Sequence, residues 1–210
     1  IGDLYDQLPP PKASNAKPGV THTAYTSMSQ AGYATHYGGG CFVGAALIAQ
    51  RVDGKVGVFK RADKVKIGDM VWDPTTRHYE TVQGVFKISG DVNRTVCTVG
   101  GLEVTPWHPI RRCGTGGVAG PWSFPFDVNR NSKQYTRPVY DFMTTGKSVM
   151  ASGEIAAVWG HEMTGAVIEH SFFGSRAAIL TAFPDCLDRV THVVGTRFIR
   201  GRDGKISGYK

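Results

Sequence analysis

Nowhere does this chain hold its apolar residues on a 3.6-residue period for long, and that fact most limits what it can fold into. Valine, isoleucine, threonine and aromatic residues instead recur in short runs, and turn residues cut each run off. Val52-Asp53-Gly54-Lys55, Gly68-Asp69 and Gly100-Gly101 are the strongest of these interruptions. Such punctuation, drawn from 27 glycines, specifies short strands joined by tight turns. With 41% apolar residues in a chain of 210, a real core is within reach. The expected fold class is mostly β.

The strand-like texture starts at Cys41. Before it, residues 1–37 carry Pro9-Pro10-Pro11, many small polar residues and few large aliphatics. That composition buries little surface, so residues 1–40 read as an upstream flank or linker. Phe42 to Gln50 fits a buried strand or a short helix equally well. Strands are expected at 56–60, into Val71-Trp72, at 80–88, 93–99, 102–105, 139–143 and 149–151, with a third short one at 154–161. The Gly-, Pro- and Arg-rich residues 111–136 read as a long loop over Trp122, Phe124 and Phe126. Beyond His161 the apolar spacing suggests a small helical or irregular cap ending in a basic tail.

Charge and cysteine usage narrow the function classes. The net charge of +7 is scattered, mainly over 51–66 and 189–210, with no run of five cations. It reads as solvated surface, and no nucleic-acid partner is expected. No secretory signal and no run of eighteen apolar residues appears, so no membrane association is expected. A monomer inside the cell is the working expectation, and Ile1 suggests a piece of something longer. Cys41, Cys97, Cys113 and Cys186 have neither CxxC spacing nor a dense framework, which argues for reduced thiols, no metal site and no cofactor.

Gly38-Gly39-Gly40 stands directly before Cys41. A thiolate attacks carbonyls best when exposed and near a proton acceptor. The context therefore suggests a nucleophile in a flexible, uncrowded segment, although a buried cysteine opening a strand fits the same residues.

Four pieces in order then resemble the Hint fold shared by inteins and the autoprocessing half of hedgehog proteins. Cys41-Phe42-Val43-Gly44 is similar to the opening block. Val65 to Val71, with Gly68-Asp69, is similar to the strand-turn-strand that follows. Leu102-Glu103-Val104-Thr105-Pro106-Trp107-His108-Pro109-Ile110 resembles the block with the Thr-x-x-His signature. Val139-Tyr140-Asp141-Phe142, closing at Trp159-Gly160-His161, is similar to the last two blocks. The wording around His108, with His170-Ser171-Phe172-Phe173-Gly174 beyond, most resembles the fungal-type Hint domains found after von Willebrand type A domains.

The resemblance implies curved antiparallel strands in a pseudo-twofold layout over residues 41–161, with 162–210 as a C-terminal extension packed on it. It also implies that Cys41 attacks the Gly40 carbonyl of the upstream polypeptide in cis, making a thioester. His108 would protonate the departing Cys41 nitrogen, and Thr105 would bond that amide or the oxyanion. Asp141 would assist the thiol, and His161 matches a late histidine of inteins. Each has a plainer reading: a turn histidine, an ordinary strand threonine, a solvated strand-edge aspartate, a core histidine. Thiol ionisation and loss of the His108 proton together predict a bell-shaped pH profile. Two departures stand out. Glu162 occupies the place of the cyclising asparagine, and Lys147-Ser148 the place of a further histidine. Cleavage or transfer without splicing is the implied outcome, to water or a small thiol, amine or alcohol. Two other classes fit parts of the sequence: a cysteine hydrolase acting in trans, of the papain or cell-wall peptidase kind, and a basic binding module.

Overall fold

The computed structural model describes residues 40–89, 94–113, 119–202 and 206–210; the expected linker at 1–39 lies outside them. The ambiguous run after Cys41 is two strands, β1 (Phe42–Val43) and β2 (Leu47–Val52). Between them the chain doubles back, with the Ala46 N–H donating to the Val43 carbonyl at 3.0 Å. Asp53 (φ 48°) and Gly54 (φ 76°) then supply the left-handed pair that a two-residue hairpin requires, leading into β3 (Lys55–Arg61). After a 3₁₀ turn come β4 (Met70–Asp73), β5 (His78–Ser89), β6 (Thr95–Val99) and β7 (Leu102–Val104). The chain continues through β8 (Ile110–Arg112), α1 (Pro125–Val128), β9 (Ser132–Gln134), β10 (Val139–Thr144), β11 (Ser148–Ala151) and β12 (Glu154–Ala157). Last come α2 (Arg176–Ala182), β13 (Thr191–Val194), β14 (Phe198–Arg200) and β15 (Ile206–Tyr209).

The long β5 joins the two halves of the fold. Its first residues, up to Thr81, pair antiparallel with β4, and from Val82 onward it pairs antiparallel with β10. The strand order runs β8-β12-β11-β2-β4-β5-β10-β1-β7-β6-β9, with β3 attached to β2. Successive side chains of a strand point to opposite faces, so β10 serves two cores at once. Phe142 packs with Phe42, Val85 and Val104, whereas Val139 and Met143 pack with Cys41, Phe86 and Trp159. The mostly β layout of largely antiparallel strands read from the sequence is the architecture observed.

Three local expectations fail, each because long-range pairing decided the matter. Residues 111–136 are not all loop: β8 joins the edge of β12, β9 joins β6, and Pro125 opens the short α1. Of the three aromatics there, Phe124 is fully buried, while Trp122 stacks under the Arg111 guanidinium. The strand expected at 154–161 stops at Ala157, and Gly160 turns away at φ 70°. The segment read as a helical or irregular cap with a basic tail ends in three strands instead. β13 adds to β5 in parallel, and the β14–β15 hairpin presses Phe198 and Ile206 into the cluster around Trp159. The cations in this segment hid that apolar alternation.

Asp73, at the end of β4, ties that strand to the start of β11. It is fully buried and accepts the N–H groups of Thr75 at 2.7 Å, Lys147 at 2.6 Å and Ser148 at 3.1 Å, together with the Ser148 hydroxyl. Removing an acceptor that serves several buried donors leaves each of them unpaired. Asp73→Ala is therefore expected to cost roughly 3–5 kcal/mol, read as a lower denaturant midpoint, with Asp73→Asn losing less. A midpoint unchanged in Asp73→Ala would remove this residue from the framework.

Candidate active site

β1 is short but pinned on both sides. Phe42 pairs with Val104 of β7 and with Tyr140 of β10. One residue upstream, the same registers set Cys41 opposite Thr105 on one flank and Asp141 on the other. Partners across a ladder point to the same face, so these three side chains converge although 64 and 100 positions separate them from Cys41. The bonds agree with this placement. The Thr105 N–H donates to the Cys41 carbonyl at 2.9 Å, and the Cys41 N–H donates to Thr105 Oγ1 at 2.9 Å.

Pro106 cannot continue the ladder, and the chain turns at once: the His108 N–H returns to the Thr105 carbonyl at 3.2 Å. The turn brings the His108 ring over Phe42, with centroids 4.6 Å apart, and points Nε2 at the Ala157 carbonyl, 2.8 Å away. A carbonyl can only accept, so Nε2 carries the hydrogen and Nδ1 holds the lone pair. Nδ1 lies 4.0 Å from Asp141 Oδ2 and against the backbone of Gly40, without a well-formed hydrogen bond.

Burial dominates the electrostatics. Cys41, His108 and Asp141 are each 1% exposed. Burial lowers the His108 pKa to about 3, with nearby His161 adding to the effect and the backbones of Ala157 and Gly40 opposing it. The Cys41 thiol is pushed well above its ordinary value by burial first and Asp141 second, while Arg94 pulls it down. Asp141 is likewise raised by burial, against the N–H groups of Phe142 and Trp159; its Oδ1 accepts the Phe142 N–H at 2.6 Å. His108 therefore faces Asp141 as a neutral imidazole rather than as the cation of an ion pair.

Two expectations need correction here. Cys41 is not exposed in an uncrowded segment, because β7 and β10 enclose it from both sides. His108 rests as a neutral base rather than as an imidazolium holding its own proton, because burial disfavours the cation.

His161 sits beyond Trp159 and Gly160, buried, with Nδ1 accepting the Met163 N–H at 2.9 Å. Its pKa falls to about 4 through burial and then Lys147. It reaches the site electrostatically, through His108. Glu162 adopts a left-handed φ of 55°, and its carboxylate accepts the N–H of Arg176 at the start of α2. Phe172, Phe173 and Phe198 from the C-terminal segment join Trp159 and Cys41 in one apolar cluster, closing one side of the site. Sequence reasoning missed Arg94, a buried cation just before β6. A lone arginine between Asn93 and Thr95 carries no motif, and only the ladder reveals its position.

A family model named Vint, described as a Hint-domain, matches residues 40–206. Among solved structures the chain is similar to the gp41-1 intein at 12% identity, covering 57% of this chain and 98% of that one, with a TM-score of 0.39. It is similar to a DnaB intein from Synechocystis sp. PCC 6803 at 16% identity, covering 57% and 98%, with a TM-score of 0.40. A bacterial intein-like domain from Clostridium thermocellum shows 17% identity over 56% and 97%, with a TM-score of 0.39. No curated protein matches the chain. The family match spans well over half of the sequence and takes in Cys41, Thr105, His108, Asp141 and His161, and on that ground this chain belongs to the Hint-domain family of self-processing domains.

Proposed function

We propose that this domain performs an N-to-S acyl shift at Gly40–Cys41 and releases its upstream flank without splicing. The observation that carries the reading is the treatment of one peptide unit from two sides. Thr105 Oγ1 holds the Cys41 N–H at 2.9 Å, and the basic edge of His108 lies against Gly40. In the proposed sequence His108 Nδ1 takes the thiol proton, and Cys41 Sγ bonds to the Gly40 carbonyl carbon. The resulting oxyanion collapses, the C–N bond breaks, and the proton on Nδ1 passes to the departing Cys41 nitrogen. One proton is thus used twice, which suits a histidine that is neutral at rest. The thioester then yields to water or to an external thiol, amine or alcohol.

Glu162 supports release rather than splicing, because a glutamate lacks the amide that forms a succinimide, and its carboxylate is engaged at Arg176. A trans-acting cysteine hydrolase fits less well. Such enzymes set the thiol at a helix N-terminus, where the dipole favours thiolate, and here Cys41 leads directly into β1. Incubation of the chain with hydroxylamine or dithiothreitol, followed by intact-mass analysis, tests the proposal. The expected products are residues 1–40, carrying the nucleophile, and residues 41–210 with a free N-terminal cysteine. Cleavage at another bond, no cleavage at all, or ligation of flanking segments would each overturn it.

A further inference from the structure

Arg94 stands apart from the chain's other cations. It is 3% exposed, and its guanidinium donates through Nη1 to the Arg137 carbonyl at 3.1 Å. Among the described residues it forms no ion pair. A buried cation without a permanent anion is costly, and chains generally replace it with an apolar residue unless it serves some state other than the resting one.

Its place in the sheet indicates which state. The Arg94 carbonyl accepts the Tyr135 N–H at 2.9 Å, so the β6–β9 ladder extends to this residue. On the other side, Cys97 pairs with Val104, and continuing that register sets Val96 opposite Thr105, itself opposite Cys41. Arg94 lies two residues before Val96, so its side chain leaves the sheet on the same face as Thr105, Cys41 and Asp141. Two strand spacings and one two-residue step separate the Cα atoms of Arg94 and Cys41 by about 12 Å. A long side chain leaning across shortens that to electrostatic range, and Arg94 does act on the Cys41 thiol.

We propose that Arg94 is the fixed counter-cation of this site, holding the negative charge that appears first on Cys41 Sγ and then on the Gly40 carbonyl oxygen. The inference rests on the acyl shift proposed above. The other groups acting on that charge are Asp141 from β10, His108 from the turn after β7 and, more remotely, His161. Asp141 opposes that charge, His108 rests neutral, and Arg94 is the one of the four that is a permanent cation. Preorganised charge aimed at a developing anion lowers the barrier without reorganisation at the moment of reaction.

The test compares Arg94→Met and Arg94→Lys with the parent chain. Thiol-induced cleavage is followed from pH 5 to 10, and thermal unfolding is measured alongside. Arg94→Met is expected to cleave roughly tenfold to a hundredfold more slowly, with the rising limb of its pH profile moved to higher pH and no loss of thermal stability. Arg94→Lys should recover part of the rate and return the limb towards its original position. Unchanged rate and profile in Arg94→Met would overturn the proposal. So would a loss of rate that merely follows a loss of folding and is not restored by lysine. A second readout separates this idea from the acyl shift itself. Alkylation of Cys41 by iodoacetamide, followed site by site with mass spectrometry, should need higher pH in Arg94→Met even if the parent chain does not cleave. Equal alkylation profiles in the two chains would count against Arg94 alone.

Discussion

Cys41→Ala is expected to abolish release of the upstream segment, and His108→Ala to slow it by about a hundredfold or more. The two changes act on different parts of one proton path. Alanine at position 41 keeps Cβ and both backbone bonds to Thr105, since these use the Cys41 N–H and carbonyl. The variant should therefore fold as the parent does and lack only the nucleophile. Alanine at position 108 removes the base that takes the thiol proton and the acid that returns it to nitrogen. It also leaves the Ala157 carbonyl unpaired and opens a void beside Phe42, so its thermal midpoint should fall as well. Reading cleavage by mass in samples still shown to be folded separates the two losses. Persistent cleavage in Cys41→Ala would leave the acyl shift without its nucleophile.

The pH dependence of the same reaction follows from the directions of the shifts. His108, at about 3, is deprotonated throughout the range from pH 5 upward, so its base form is not limiting there. The thiol of Cys41 is raised well above its ordinary value, so the fraction already ionised, which attacks without first passing its proton to His108, keeps growing as pH rises. Cleavage should accordingly climb from pH 6 to 9 without a descending limb due to His108. A bell shape, which an exposed histidine would give, is not expected from a buried one.

What the sequence made legible was local chemistry and its order along the chain. Turn signals at Asp53-Gly54 and Gly100-Gly101 located two hairpins, and the resemblance to Hint domains implied a threonine bonding the Cys41 amide or the oxyanion, of which the amide bond is the one observed. What stayed illegible depends on which strand lies beside which. The burial of Cys41 arises because two distant strands flank a two-residue β1. The lowered pKa of His108 follows from that burial and from His161, more than fifty residues away. Phe198, set between Arg197 and Arg200, gave no sign that it would help close the apolar cluster over Trp159. A triplet of glycines before a cysteine reads as freedom. In the fold, the last of them answers to a steric constraint instead.

Gly40→Ala is accordingly the second change expected to have a large effect. A Cβ built on Gly40 would lie 2.6 Å from both Cγ and Nδ1 of His108 and 2.7 Å from its Cα. A flexible side chain could swing away from such a contact, but a backbone atom cannot. The His108 backbone is held by its turn bond to Thr105, and its ring is held by Ala157 and Phe42. β1 is fixed by both neighbours, so the element left to move is the upstream peptide itself. A displacement near 1 Å at a reacting carbonyl costs on the order of a hundredfold in rate, and that is the loss expected for Gly40→Ala, with Gly40→Val worse still. Because residue 40 precedes the first strand, the thermal midpoint should fall much less than in His108→Ala. The measurement is the rate of hydroxylamine-induced release from chains differing only at position 40. The geometry makes glycine the residue that the upstream flank must end in, whatever polypeptide precedes it. Release from Gly40→Ala at the parental rate would mean that the scissile carbonyl does not react in the position described.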